Sequence, residues 1–208
     1  MAITTYAELK AAAANWLVRG DLTARIPEFV TLAEARLNRV LRHRLAEAEA
    51  PLTATGGVRR LSLPAGFTEP LRLWLERADG RLELPFVEAS LLPLTAARGE
   101  PAAWSIDAEA VAFDRPCDQS YGFVLRMLRG FALSDVAPTN ALLSEAPDVY
   151  LFATLAEAGP FLRDPELTGA YEARLERAIG ELDTKHARSR KLGALRVERG
   201  LMALDAGR

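Results

Sequence analysis

The chain has 208 residues, half of them hydrophobic, and a formal net charge of −2. That length suits one elaborated domain or two small ones, with a core that needs no metal or disulfide staple. Near-neutral charge makes no global case for nucleic-acid binding, the single Cys117 excludes an intrachain disulfide and suits a reducing compartment, and no apolar run reaches the roughly 18 residues of a membrane span.

The first residues, MAITTYAELK, lack the basic-then-apolar pattern of a signal peptide. Thr5-Tyr6-Ala7-Glu8 reads as a capping box, a hydroxyl and a carboxylate that satisfy orphan amides reciprocally. The helix after it carries Tyr6, Leu9, Ala13, Trp16 and Leu17 on one face and ends near Val18, with Gly20 as its C-cap. Residues 19–25 form a tight corner, in which Asp21 can cap the next helix. That second, strongly amphipathic helix spans residues 26–45, with Ile26, Phe29, Val30, Ala33, Leu37, Val40 and Leu41 in one stripe. Pro27 is tolerated in its first turn. The two helices make an antiparallel hairpin around which the chain is organised.

From Pro51 the texture changes to short apolar runs punctuated by Pro and Gly, as in strands joined by turns. Strands are expected at 58–63, 71–78, 81–86, 103–106, 111–113 and 121–129. Asp79-Gly80 marks a hairpin with a type I′ turn, and residues 107–110 mark a second hairpin. Residues 90–94 read as a helical turn. In the strand at 71–78, Leu71, Leu73 and Leu75 face a core, while Trp74 points the other way, toward an edge or a partner. Helix returns after Ala132. Pro147-Asp148 starts a mostly apolar helix with Val149, Phe152, Leu155, Ala156, Gly159 and Phe161, in which Pro160 is a candidate kink. Asp164-Pro165-Glu166 starts the last long helix, with Leu167, Tyr171, Leu175, Ala178, Ile179 and Leu182 inward and a solvated Glu/Arg face that includes Glu172. Residues 185–199 are basic, and their apolar periodicity fades after Leu182. An extended or disordered arm is expected there in the isolated chain.

No arrangement of residues points to catalysis, a cofactor or a metal. His43 and Glu47 are half of a helical metal site, but zinc needs three or four ligands, and the other histidine, His186, is far along the chain. His43 is expected in solvent beside Arg42 and Arg44. Cys117 has no local base to activate it and reads as a small buried apolar residue. Gly56-Gly57 precedes a strand, whereas a phosphate-cradling loop must precede a helix. Carboxylates at 47, 49, 107 and 109 sit on exposed segments, with nothing to separate their pKa values. Trp16 and Trp104 read as core. The basic stretch has two open readings: a solvated helix end with favourable dipole charges, or an arm that orders on a partner or on DNA phosphates.

Three segments together carry a resemblance. They are TYAELKAAAANWLVRGDLTARIPEFVTLAEARLNRVLR, LSLPAGFTEPLRLWL and PTNALLSEAPDVYLFATLAEAGPFLRD. In this order they resemble the phage head-to-tail adaptor family, also known as head completion or connector proteins, of short-tailed phages and related prophages. The specific parts are the Asp21-Leu22-Thr23 corner before Ile26-Pro27, and Pro147-Asp148 before Tyr150-Leu151. The resemblance implies an α+β fold in which N- and C-terminal helices (residues 1–50 and 132–185) form an antiparallel bundle. It also implies an inserted antiparallel β domain (51–131) and a basic C-terminal arm (186–208). A ring, commonly of twelve copies, is implied under the portal protein, with the arm toward the portal and a tail nozzle or next tail component below. Packaged DNA would be met only in passing, and no membrane is involved. Such a protein assembles in the host cytoplasm and resides at the head–tail junction of the virion. The candidate contact residues are Lys185, Arg188, Arg190, Lys191, Leu195, Arg196 and Trp74. Ala-rich helix faces at 11–14 and 153–158 suit close packing on neighbouring copies, and the free protein is expected to be a monomer. The alternatives are a DNA-binding module acting through the arm, or a tail-associated enzyme using the β segment.

Overall fold

The computed structural model describes residues 2–191, with side chains as far as residue 188. Among them are five α-helices: α1 (Tyr6–Leu17), α2 (Ile26–Val40), α3 (Ala141–Glu145), α4 (Pro147–Leu162) and α5 (Pro165–Lys191). Seven strands lie between α2 and α3: β1 (Glu47–Ala54), β2 (Arg60–Ser62), β3 (Phe67–Arg77), β4 (Gly80–Leu84), β5 (Trp104–Asp107), β6 (Ala110–Phe113) and β7 (Tyr121–Arg129). The fold is α+β. One antiparallel sheet has the order β1-β7-β3-β4, and a smaller one has the order β2-β6-β5.

The capping box forms: the Thr5 hydroxyl accepts from the Glu8 amide at 3.2 Å, and the Glu8 carboxylate accepts from the Thr5 amide at 3.0 Å. Gly20 does not supply the C-cap of α1; Val18, two residues earlier, does. Val18 itself takes the left-handed conformation (φ 51°), a costly one for a β-branched residue, and is 86% exposed. Asp21 does not cap α2; it pairs with Arg19 instead. α2 stops at Val40 rather than running on to residue 45. Its stripe is buried as expected from Ile26 to Leu37, and Leu41 beyond it is buried too, but Val40 faces solvent.

β1 begins at Glu47, ahead of the change in texture at Pro51, which lies inside the strand opposite Val124. An edge strand tolerates proline because one side needs no ladder donor. β3 likewise starts before Pro70, and a register irregularity between Pro70 and Arg72 accommodates the missing amide. The β3–β4 hairpin is present, but only Gly80 has positive φ (138°) at its turn. A type I′ turn needs positive φ at both central residues, here Ala78 and Asp79, so that expectation fails.

Buried side chains fall into two main clusters. One joins the helices through residues such as Leu9, Val30, Leu37, Tyr150, Leu155 and Leu175. The other fills the β part around Leu73, Trp104, Phe113, Cys117, Phe123 and Leu125. β7 serves both: Phe123, Leu125 and Met127 point into the β cluster, and Leu128, one residue out of phase, joins the helical one. α4, rather than α2, is the central rod, packing against α1, α2, α3 and α5. It is apolar nearly all round, and Ala153, Ala156 and Ala158 are buried inside this chain, so that Ala-rich face is not free for a neighbouring copy. Phe161 at its end is exposed, against expectation. Glu172 is not simply solvated either. Arg36 of α2 grips its carboxylate in a fork at 2.6 and 2.5 Å and also reaches Glu157 of α4 at 3.5 Å. That fork holds the Glu172 carboxyl below the usual carboxylate range.

Candidate interaction surface

The residues singled out from the sequence gather mainly at the end of α5. This helix packs through Tyr171, Leu175, Ala178 and Leu182, at intervals of four and three. The apolar series ends there, yet the helix continues to Lys191. An extended or disordered start to the arm at residue 185 is therefore corrected: residues 185–191 are helical.

Two contacts among the described residues help to hold this continuation. Lys185 pairs with Glu145, the last residue of α3, and keeps the Glu145 carboxyl below its ordinary range. His186 lies against His43, ring centroids 4.3 Å apart and tilted by 52°. His43 is not in solvent as expected; it is 3% exposed. Its Nδ1 accepts from the Leu45 amide at 3.2 Å, capping a short 3-10 turn (Arg44–Ala46) that leads into β1. Its Nε2 is buried with no hydrogen-bond partner among the described residues. Burial pushes the His43 pKa down, helped by nearby His186 and Arg44 and opposed by Asp183 and Glu145. Accepting from the Leu45 amide also requires that Nδ1 carry no proton. No spacing in the sequence marked this pair, because the two histidines meet only through the docking of α5 on the turn after α2.

Arg188 is exposed on the same helix end. Arg190 and Lys191 belong to its last turn, and Leu195 and Arg196 lie outside the described residues. Trp74 stands apart from this group. It is half-buried on β3, 5.9 Å from the Arg81 guanidinium, amid the ion pairs Arg72–Glu83, Arg81–Glu76 and Arg81–Glu49. Trp104 is core as expected, with its indole N–H donated to the Leu84 carbonyl at 3.0 Å. Trp16 is not: it is 42% exposed, edge-on to Phe152 and beneath Arg174.

Among the described residues no group of three or more His, Cys, Asp or Glu is placed to hold a metal ion. Cys117 is fully buried, and burial beside Asp118 pushes its thiol up, away from the reactive thiolate. Asp114, buried in the β part, accepts from the amides of Ala102 and Ala103 and from Arg115, which outweigh the cost of its burial and keep its carboxyl low. That role is structural. No helix among the described residues is long and apolar enough to cross a membrane.

A long helix that outlasts its own core and ends in cations presents a surface suited to contact with another molecule. The chain belongs to the SU10 adaptor protein family, whose sequence profile matches residues 4–198, and is thereby a phage head–tail adaptor protein. No curated protein sequence matches it. Family membership makes it a virion structural protein and implies interaction with portal and tail components.

Proposed function

We propose that copies of this chain form a ring that joins the portal to the tail and surrounds the path of the DNA, commonly with twelve subunits. The observation that carries this reading is the family match from residue 4 to residue 198, which takes in both helical segments, the strands between them and the end of α5. The working division is a helical bundle interrupted by a β insertion, followed by a basic arm. The two separate buried clusters support it. Under this reading the arm, from Lys185 through Arg188, Arg190, Lys191, Leu195 and Arg196, meets the portal. The tail nozzle or next tail component binds on the opposite side.

A closed ring needs a heterologous interface, two different patches of the same chain that meet head to tail. With the α4 alanines used internally, the exposed apolar residues of the helical part that suit it include Leu32 and Val40 on α2, Trp16 and Val18 at the end of α1, and Phe161 at the end of α4. Contact with a neighbour would also stabilise the left-handed Val18.

The direct test mixes purified protein with its portal and looks for rings by electron microscopy. The free protein is expected to sediment as a monomer and to form rings on the portal. The pair Arg188→Glu and Arg190→Glu is expected to abolish that docking. Rings that form without portal would overturn conditional assembly. Unchanged docking by the charge-reversed chain would overturn the role of the arm. A steep salt dependence of DNA affinity, with no portal binding, would favour the DNA-binding alternative instead.

A further inference from the structure

Between the helical part and the main sheet runs an apolar groove of about 510 Å³, within the roughly 300–1,000 Å³ of sites that seat ligands. Ala46, Ala48, Ala65, Phe131, Ala132 and Ala141 line much of it. Small side chains leave the space, and nothing among the described residues fills it.

The end of α5 is tied to two elements that border this groove. Lys185 is tied to Glu145, and Ala141 at the other end of the same short α3 lines the groove. His186 is tied to His43, two residues before Leu45, which also lines it. Five residues after His186 the helix reaches Lys191, about 7.5 Å further on. The sequence continues for seventeen residues, 192–208, and includes Leu192, Leu195, Val197, Leu201, Met202 and Leu204. A purely electrostatic arm has no use for six such side chains, whereas an apolar groove at its root does. At about 3.3–3.6 Å per residue, the span from 192 to 204 is ample to cross it.

We propose that this groove is the resting dock of the chain's own residues 192–204, so that the arm must leave it before it can engage a partner. The regulatory meaning rests on the adaptor reading, but the contact itself does not. Tethering supplies an effective concentration on the order of millimolar, enough for a weak apolar contact to keep the arm occupied. A partner that binds the arm more tightly takes it away. The groove then lies open on the assembled subunit, and assembly is coupled to docking without a chemical signal.

The test uses the full chain. Glu198→Cys carries a nitroxide spin label, while the buried Cys117 is left in place. In dilute, isotopically labelled protein the amide signals of Ala46, Ala48, Phe131 and Ala132 are expected to broaden. Leu195→Ser with Leu201→Ser should relieve the broadening, and so should Ala132→Arg, which fills the groove from its exposed rim without touching the arm. Absence of broadening at these four positions overturns the proposal, as does broadening that survives both variants. Broadening seen only when spin-labelled and isotope-labelled chains are mixed also overturns it, since the arm would then occupy a neighbour's groove. Portal docking is measured separately: rings without broadening sink the dock and leave the adaptor, and broadening without rings does the reverse.

Discussion

Asn38 and Phe131 exchange two hydrogen bonds, the Asn38 Nδ2 donating to the Phe131 carbonyl at 3.0 Å and the Phe131 amide donating to Asn38 Oδ1 at 2.7 Å. A single side-chain amide thus imitates a neighbouring strand, and α2 grips the backbone just as it leaves β7. The adjacent Gly130 leaves room for this, because a Cβ there would come within 3.3 Å of Asn38 Nδ2. The contact is one of the pins that fix the helical part on the sheet. Asn38→Asp keeps the shape but turns the donor into a second acceptor facing a carbonyl. A loss of about 1–3 kcal/mol is expected. The check is chemical denaturation together with hydrogen exchange at the Phe131 amide, which should quicken well beyond the global change if the clamp is local.

Gly159 of α4 presses against α5. A Cβ there would fall 2.1 Å from Thr168 Oγ1 and 3.0 Å from the Thr168 backbone. Gly159→Ala gains up to about 1 kcal/mol in helix propensity, but overpacking costs about 1–3 kcal/mol, so the variant should be less stable. Thr168→Ala in the same chain should restore only part of the loss, since the backbone contact remains. Thermal melts of the two variants decide it, at about 2–4 °C per kcal/mol for a chain of this size. Equal or higher Tm for Gly159→Ala would mean that the helices separate freely there.

Periodicity made α1, the body of α2, α4 and α5 legible, because each buries a stripe that spacing alone reveals. The strand from Tyr121 to Arg129 was legible for the same reason. What escaped was set by partners distant in sequence. Asn38 falls outside the apolar stripe of α2, and nothing local announces a clamp on a backbone some ninety positions on. His43 read as solvated because its flanks are arginines, and only the docking of α5 buries it. β1 was hidden because Glu47 and Glu49 look like a helix surface and Pro51 looks like a break, although an edge strand accepts both. The groove has no sequence signature at all, since alanines are silent until the space between two layers is known.

Glu34 introduces a pH dependence in the neutral range. It is half-buried on α2, accepts from the Tyr150 hydroxyl at 3.3 Å, and has its pKa raised to about 7, chiefly by burial, against the opposing bonds from the Leu133 amide and Tyr150. Asn140, the N-cap of α3, donates to the same hydroxyl at 2.6 Å. A carboxyl raised in the fold contributes its full stability below the ordinary value of 4.5 and loses it as pH rises to about 7. Glu34→Gln should therefore be more stable than the native chain at pH 8 and closely matched at pH 4.5. Partial exposure to water trims the size of the gap but not its sign. Denaturation midpoints at the two pH values test it, and a Gln variant that loses stability at pH 8 would show that the ionised carboxylate is the favoured form.

His43, three residues beyond the end of α2, acts in the opposite direction. Its pKa is lowered in the fold, so its contribution is complete above the ordinary value of 6.5 and is lost as pH falls through the depressed one. Protonation has a structural consequence too, because Nδ1 would become a donor and could no longer accept from the Leu45 amide. The facing charges divide: His186 and Arg44 resist the proton, and Asp183 and Glu145 welcome it. Acidification from pH 7.5 to 5 should accordingly loosen the turn at 44–46 and the end of α5 before the rest of the bundle. Hydrogen exchange along α5 reads this directly: amides beyond Leu182 should lose protection first. His43→Phe keeps a ring against His186 but cannot titrate, and should flatten that acid-side change. If the variant and the native chain loosen alike, His43 is not the group that couples acid to the end of α5.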